Sequence, residues 1–139
     1  MQKSLIIKSV LLFSLTISYR AMVGGYIKVK NATNRDQTVV IWGKNRCFSS
    51  VPPICEFGKW HKYNQKKLKK NAVFSETLEI FRNWYVSVGK TTFGRTHNIK
   101  PDQNIKLCVH LDNNGIIKIT RVTEKTTNPP HGCSWDEIK

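Results

Sequence analysis

IKLCVHL-DNNG-IIKITRV, residues 105–122, is the stretch that decides the fold class. From Ile105 to Leu111 apolar side chains alternate with polar or small ones, the two-residue period of a strand that buries one face. Asp112-Asn113-Asn114-Gly115 is dense turn chemistry, and Ile116 to Val122 returns as a second strand, so the segment reads as an antiparallel hairpin.

Working outward, Tyr26 to Asn31 (YIKVKN) and Gln37 to Trp42 (QTVVIW) repeat the strand pattern around the turn-forming NATNRD, which predicts an opening hairpin. Val73 to Phe81 alternates Phe74, Leu78 and Ile80 against Ser75, Thr77 and Glu79, with Glu76 the exception on the apolar side. Arg82-Asn83 then supplies a turn into Trp84 to Val88, predicting a second pair of neighbouring antiparallel strands. Gly43 to Gly58 is a proline-containing loop. Lys59 to Lys70 is basic and follows no clear period, and Gly89 to Asn104 lacks alternation and reads as a long exposed loop. Six short strands without a helical segment predict an all-β fold: a small antiparallel β-sandwich or barrel built from hairpins, with disulfide-stabilised loops.

The chain of 139 residues suits one domain. Met1, Gln2 and Lys3 give a positive start and Ser9 to Ile17 (SVLLFSLTI) a compact apolar run, too short to span a bilayer; residues 1–25 are expected to be a secretory signal peptide and residues 26–139 a β-rich secreted domain. The formal charge of +14 falls to +11 once Lys3, Lys8 and Arg20 leave with the signal. That imbalance favours polyanions or anionic membranes as partners.

All four cysteines follow the signal, and an even number in an exported chain points to disulfides. Pairing Cys47 with Cys55 and Cys108 with Cys133 brackets two turn-rich stretches, SSVPPI and NPPHG; on the chain-entropy model these closures contribute roughly 2.6 and 3.5 kcal/mol. No Cys-x-x-Cys or closely spaced histidine pair offers a metal site, and no cofactor is implied. Asn31-Ala32-Thr33 is an N-glycosylation sequon, suited to an exposed turn.

The most distinctive feature runs from Lys59 to Lys70. Lys59, Lys62, Lys66, Lys67, Lys69 and Lys70 can neutralise sulfate or phosphate, while Trp60 and Tyr63 can stack on a sugar or insert at a membrane interface. A second basic group, Lys90, Arg95, His97 and Lys100, stands beside Phe93; spacing alone leaves open whether it lies near the first group. The leading expectation is a basic binding module for an anionic partner, a sulfated glycan or an acidic membrane surface, with nucleic acid the weaker alternative.

Two other classes compete. A toxin, effector or inhibitor would use a protein-binding surface, for which the Cys47–Cys55 loop is a rigid epitope. A secreted ribonuclease-like hydrolase would use His110 with His61 or His97 and a lysine. Val109-His110-Leu111-Asp112 resembles the segment around one catalytic histidine of pancreatic-type ribonucleases. The other marks of that family are missing: no histidine near the mature N-terminus, no cysteine-lysine-threonine segment, and a chain that continues past the family's end. His110 is more simply a polar-face strand residue. Nucleophile elbows, paired acid/base carboxylates and phosphate-binding glycine loops are also missing, so no catalytic residue is assigned.

Overall fold

The computed structural model describes residues 23–45 and 59–139. Among the described residues eight strands form two four-stranded sheets: β1 (Val23–Asn31), β2 (Gln37–Asn45), β3 (His61–Leu68), β4 (Val73–Glu79), β5 (Arg82–Val88), β6 (Thr91–Phe93), β7 (Asn104–Leu111) and β8 (Ile117–Val122). The first sheet has the order β4-β1-β7-β8 and the second β3-β2-β5-β6. A short helical turn, Trp135–Glu137, lies near the C-terminus. Ile27, Val29, Leu107 and Val109 of the first sheet share one buried cluster with Val39, Ile41, Trp84 and Val86 of the second. The alternation in the sequence selects these residues, because every second side chain of a strand points to the same face.

The hairpin of β7 and β8 forms as the sequence predicts, with Leu107 opposite Arg121 and Val109 opposite Ile119. Its turn is closed by the Asp112 carboxylate, which accepts the backbone N–H groups of Asn114 at 2.8 Å and Ile116 at 2.9 Å. These bonds, led by the one from Ile116, hold the carboxyl below its ordinary range. Gly115, at φ 76°, takes the left-handed conformation the turn needs.

The other two expected hairpins do not form. β1 and β2 lie in different sheets, and so do β4 and β5. β1 instead pairs with β4 on one side and runs parallel to β7 on the other, so the pairing is not wholly antiparallel. Each connection carries the chain from one sheet to the other, so the two strands that the turn joins are not hydrogen-bonded neighbours. Alternation is the same for both arrangements, since it reports which face is buried and not which strand is the neighbour.

Asn31 explains the first crossing. Its side-chain amide donates to the carbonyls of Arg35 at 2.8 Å and Leu68 at 2.9 Å. Its side-chain oxygen accepts the backbone N–H of Thr33 at 3.0 Å and the Thr33 hydroxyl at 2.6 Å. The sequon asparagine is therefore not on an exposed turn: it is 0% exposed, and both amide hydrogens are engaged where a glycan would attach. The asparagine and threonine of the motif serve as the corner that turns β1 into β2.

Lys59 to Lys70, aperiodic as a sequence, is largely β3, an edge strand paired with β2 through a register shift between Ile41 and Trp42. Only Leu68 of β3 is fully buried. Asn64 and Lys66 share the inward side but face the edge strand of the other sheet: Asn64 donates to Glu76 at 2.8 Å, and the Lys66 ammonium lies 5.7 Å from the Phe74 ring centroid. Glu76, the acidic exception on the apolar side of β4, is matched by this contact. Polar inward residues are tolerated at an edge where water still reaches, and lysines there oppose edge-to-edge association. The segment expected to be one long loop contains β6 and an isolated bridge from Ile99 to Trp84.

Residues 123–139 return across the outer face of the first sheet. The Cys108–Cys133 disulfide forms, with Cα atoms 5.7 Å apart, and Ile138 packs with both cysteines and Val122 in a second buried cluster. The Cys47–Cys55 pairing and residues 1–22 of the expected signal peptide lie outside the described residues. The last three residues of the expected signal, Val23 to Gly25, belong to β1.

Candidate functional site

The outer face of the second sheet follows from register. With Val39 and Ile41 turned to the core, Val40, Trp42 and Lys44 point outward from β2. Tyr85 pairs with Trp42 and Ser87 with Val40, which places both on the same face. Tyr85 is only 3% exposed. An outward-facing tyrosine can be buried in this way only if other side chains cover it.

Three side chains do so. The Trp42 ring stacks on Tyr85 with centroids 5.7 Å apart and planes 6° from parallel. Trp60, just before β3, meets Tyr85 edge-on at 4.6 Å. The Arg95 guanidinium lies 5.4 Å from the Tyr85 centroid and donates to its hydroxyl at 3.3 Å. Offset and edge-on ring pairs each contribute roughly 0.5–1.5 kcal/mol beyond their burial. The indole N–H of Trp42 donates to the Ser87 hydroxyl at 2.9 Å, which fixes the tilt of that ring.

Cations rim the aromatic group. The Lys44 ammonium lies 5.6 Å from the Trp60 centroid, and Lys62 is the cross-strand partner of Trp42. Half-exposed Trp42 and Trp60, with Lys44, Lys62 and Arg95, present flat apolar rings among positive charges. That combination suits a ligand with an apolar ring face and anionic substituents.

The two basic groups of the sequence thus meet: Trp60 from the first and Arg95 from the second both rest on Tyr85. The lysines of the first group, however, are divided by the strand. Lys62 and Lys67 stand opposite Trp42 and Thr38 on the outer side, with Lys67 3.7 Å from Asp36, and Lys66 lies at the inward edge. Lys59 is exposed ahead of β3, and Lys69 and Lys70 are exposed in the turn after it. In the second group, Lys90 and Lys100 are exposed in the connections that flank β6. Trp42, Lys44 and Tyr85 belong to this candidate face and were missed by sequence reading; the available signal was one aromatic at an outward position on each of two strands, Trp42 on β2 and Tyr85 on β5.

Tyr63 is not part of this face. It packs edge-on to buried Trp84 at 4.8 Å, lies under Arg82 at 5.2 Å and donates its hydroxyl to Glu79 at 2.7 Å. That hydrogen bond, then burial and the charges of Glu79 and Glu76, raise its phenol from the ordinary 10.0 to about 12, against the opposing charge of Arg82. The unfolded chain therefore loses this proton first as pH rises. Its stabilising contribution is complete below pH 10.0 and disappears as pH climbs towards about 12. Tyr63→Phe is expected to show a shallower alkaline loss of stability than the native chain, measured by urea unfolding at several pH values. An identical alkaline limb would contradict the assignment.

His110 points outward from the first sheet, with its Nε2 2.6 Å from the Thr120 hydroxyl. His61 is on β3, in the second sheet, and His97 is exposed in the loop leaving β6. The fold thus sets His110 apart from His61. Among the described residues no group of three or more histidine, cysteine, aspartate and glutamate side chains can hold a metal ion. Comparison with family models, with curated proteins and with solved structures gave no match, so the arrangement of the chain's own residues is what speaks to its function.

Proposed function

We propose that the two sheets form a β-sandwich and that the protein is a binding module for a sulfated glycan, which it engages on the outer face of the second sheet. Sugar rings lie against Trp42 and Trp60, while Lys44, Lys62 and Arg95 meet the sulfates. The observation that carries this reading is the convergence on Tyr85 of residues from β2, the segment before β3 and the segment after β6. Rings held by stacking, with cations at their rim, form a preorganised surface that loses little side-chain entropy on binding. The disulfide and the absence, among the described residues, of a helix long and apolar enough to cross a membrane are compatible with an extracellular setting.

Retention of the oxidised protein on immobilised heparin, measured against salt, tests the reading. Lys44→Gln/Arg95→Gln is compared with a control of equal charge loss on exposed residues elsewhere, Lys118→Gln/Lys125→Gln. The site pair is expected to lower affinity about tenfold and the control by much less. Trp60→Ala is expected to cost about 1–2 kcal/mol with little change in salt dependence, because stacking is not screened as charge is. Equal elution of the two double variants would overturn the assignment. Tighter binding to vesicles of acidic phospholipid than to heparin would replace the glycan with a membrane surface.

A further inference from the structure

The turn after β1, the turn between β3 and β4 and the C-terminal segment enclose a cleft of about 470 Å³. Small-molecule sites fall at about 300–1,000 Å³. The groups that give this one its chemistry are Lys30, Thr33, Asn34, Lys70, His131 and Glu137. It shares no residue with the aromatic face of the second sheet.

Lys30 is the informative residue. Lysine is almost never buried unless its charge is matched; Lys30 is only 6% exposed, and its ion pair, with Glu137, is a long one. Its ammonium donates to the Gly132 carbonyl at 2.7 Å, and among the described residues its ion-pair partner, Glu137, holds a carboxylate oxygen at 3.9 Å, beyond hydrogen-bond reach. An ammonium has three donors, so Lys30 keeps capacity for an acceptor. Lys70 and His131, both exposed, line the same cleft. Charge-assisted bonds from two lysines are what an anionic ester oxygen requires.

Glu137 sets the rest of the ligand. The Ser134 hydroxyl donates to it at 2.6 Å and is the main cause that holds its carboxyl below the usual range, so it is ionised at neutral pH. A carboxylate repels a bare anion but accepts hydrogen bonds from hydroxyl groups. With Asn34 it forms a polar wall suited to a hydroxylated body.

We propose that this cleft binds a small hydroxylated monoester of phosphate or sulfate, with the ester oxygens on Lys30 and Lys70 and the hydroxyls on Glu137 and Asn34. The proposal does not rest on glycan binding at the second sheet.

Amide NMR titration of the oxidised chain with glucose phosphate, glucose sulfate, inorganic phosphate and glucose tests it. One or both esters are expected to shift the amides of Thr33, Asn71 and Gly132 saturably; the two arms show whether phosphate or sulfate is preferred. Lys70→Gln, at an exposed position, is expected to weaken the ester about tenfold. Lys44→Gln/Arg95→Gln is expected to leave it unchanged, which separates this site from the heparin-binding face. Glu137→Gln is expected to weaken the ester but not inorganic phosphate. Inorganic phosphate binding as tightly as both esters would overturn the hydroxylated ligand. The absence of a saturable shift with either ester, or an ester affinity that Lys70→Gln leaves intact, would overturn the site.

Discussion

Replacing Asn31 by alanine is expected to lower the free energy of unfolding by about 3–4 kcal/mol, a large effect for one polar residue. The residue is fully buried and makes four hydrogen bonds, two donated to the carbonyls of Arg35 and Leu68 and two accepted from Thr33. Alanine leaves those partners facing a small void, and each buried group without a partner costs about 1–3 kcal/mol before relaxation. The backbone of Asn31 adds to the corner, since its carbonyl accepts from Asn71 at 2.7 Å and its N–H donates to Ala72 at 3.0 Å. Asn31→Asp separates shape from chemistry: the volume is kept, but a carboxylate oxygen then faces two carbonyl oxygens. It is expected to destabilise at least as much as alanine, whereas Thr33→Val, which removes one hydroxyl, is expected to cost about 1 kcal/mol. Urea midpoints at constant m-value give the comparison. A loss below about 1 kcal/mol for Asn31→Ala would show that water or neighbours satisfy the corner.

Removal of the C-terminal disulfide ranks with it. Cys108 and Cys133 are 25 positions apart, and on the chain-entropy model a closure of this size contributes about 3.5 kcal/mol. Both cysteines are fully buried, so Cys108→Ala/Cys133→Ala also removes sulfur packing from the cluster with Val122 and Ile138. The C-terminal segment has other anchors. Lys106 donates to the Trp135 carbonyl at 2.9 Å with its ammonium 3.9 Å from the Trp135 ring centroid, and Lys30 holds the Gly132 carbonyl. Burial, with the nearby charge of Lys28, pulls the Lys106 ammonium below its ordinary value, so these contacts depend on the segment remaining seated. The double variant is therefore expected to lose about 3.5 kcal/mol globally and to show faster amide exchange at Cys133 and Ile138 positions than at Leu107 or Val109. Unchanged stability with unchanged exchange would mean that the lysine anchors and Ile138 hold the segment without the covalent link.

The local features of the fold were legible where one residue's neighbours decide its state. The β7–β8 hairpin is the clearest instance, because Asp112 and Gly115 make the turn from within and the flanking alternation requires nothing distant. Cys108 and Cys133 were also matched correctly from the turn-rich stretch between them. Lys59 to Lys70 was illegible because an edge strand facing an open side needs no apolar period, and the register shift beside Trp42 breaks what period remains. In the candidate face, Trp60 and Arg95 stood out as members of basic groups. Tyr85 did not, since its role depends on the side chains that cover it.

The sequence by itself determined that the chain is β-rich, which faces of its alternating strands are buried, where the tightest turn falls and that the chain is basic. These follow from periods of two, turn residues and charge, all properties of neighbours along the chain. Only the tertiary structure decided that β1 and β2 part into different sheets, that β1 lies parallel to β7, and that Trp60 and Arg95 meet on Tyr85. Those are choices among partners far apart in the chain, and an alternating strand is equally suited to several of them until the core closes and one arrangement satisfies the buried groups.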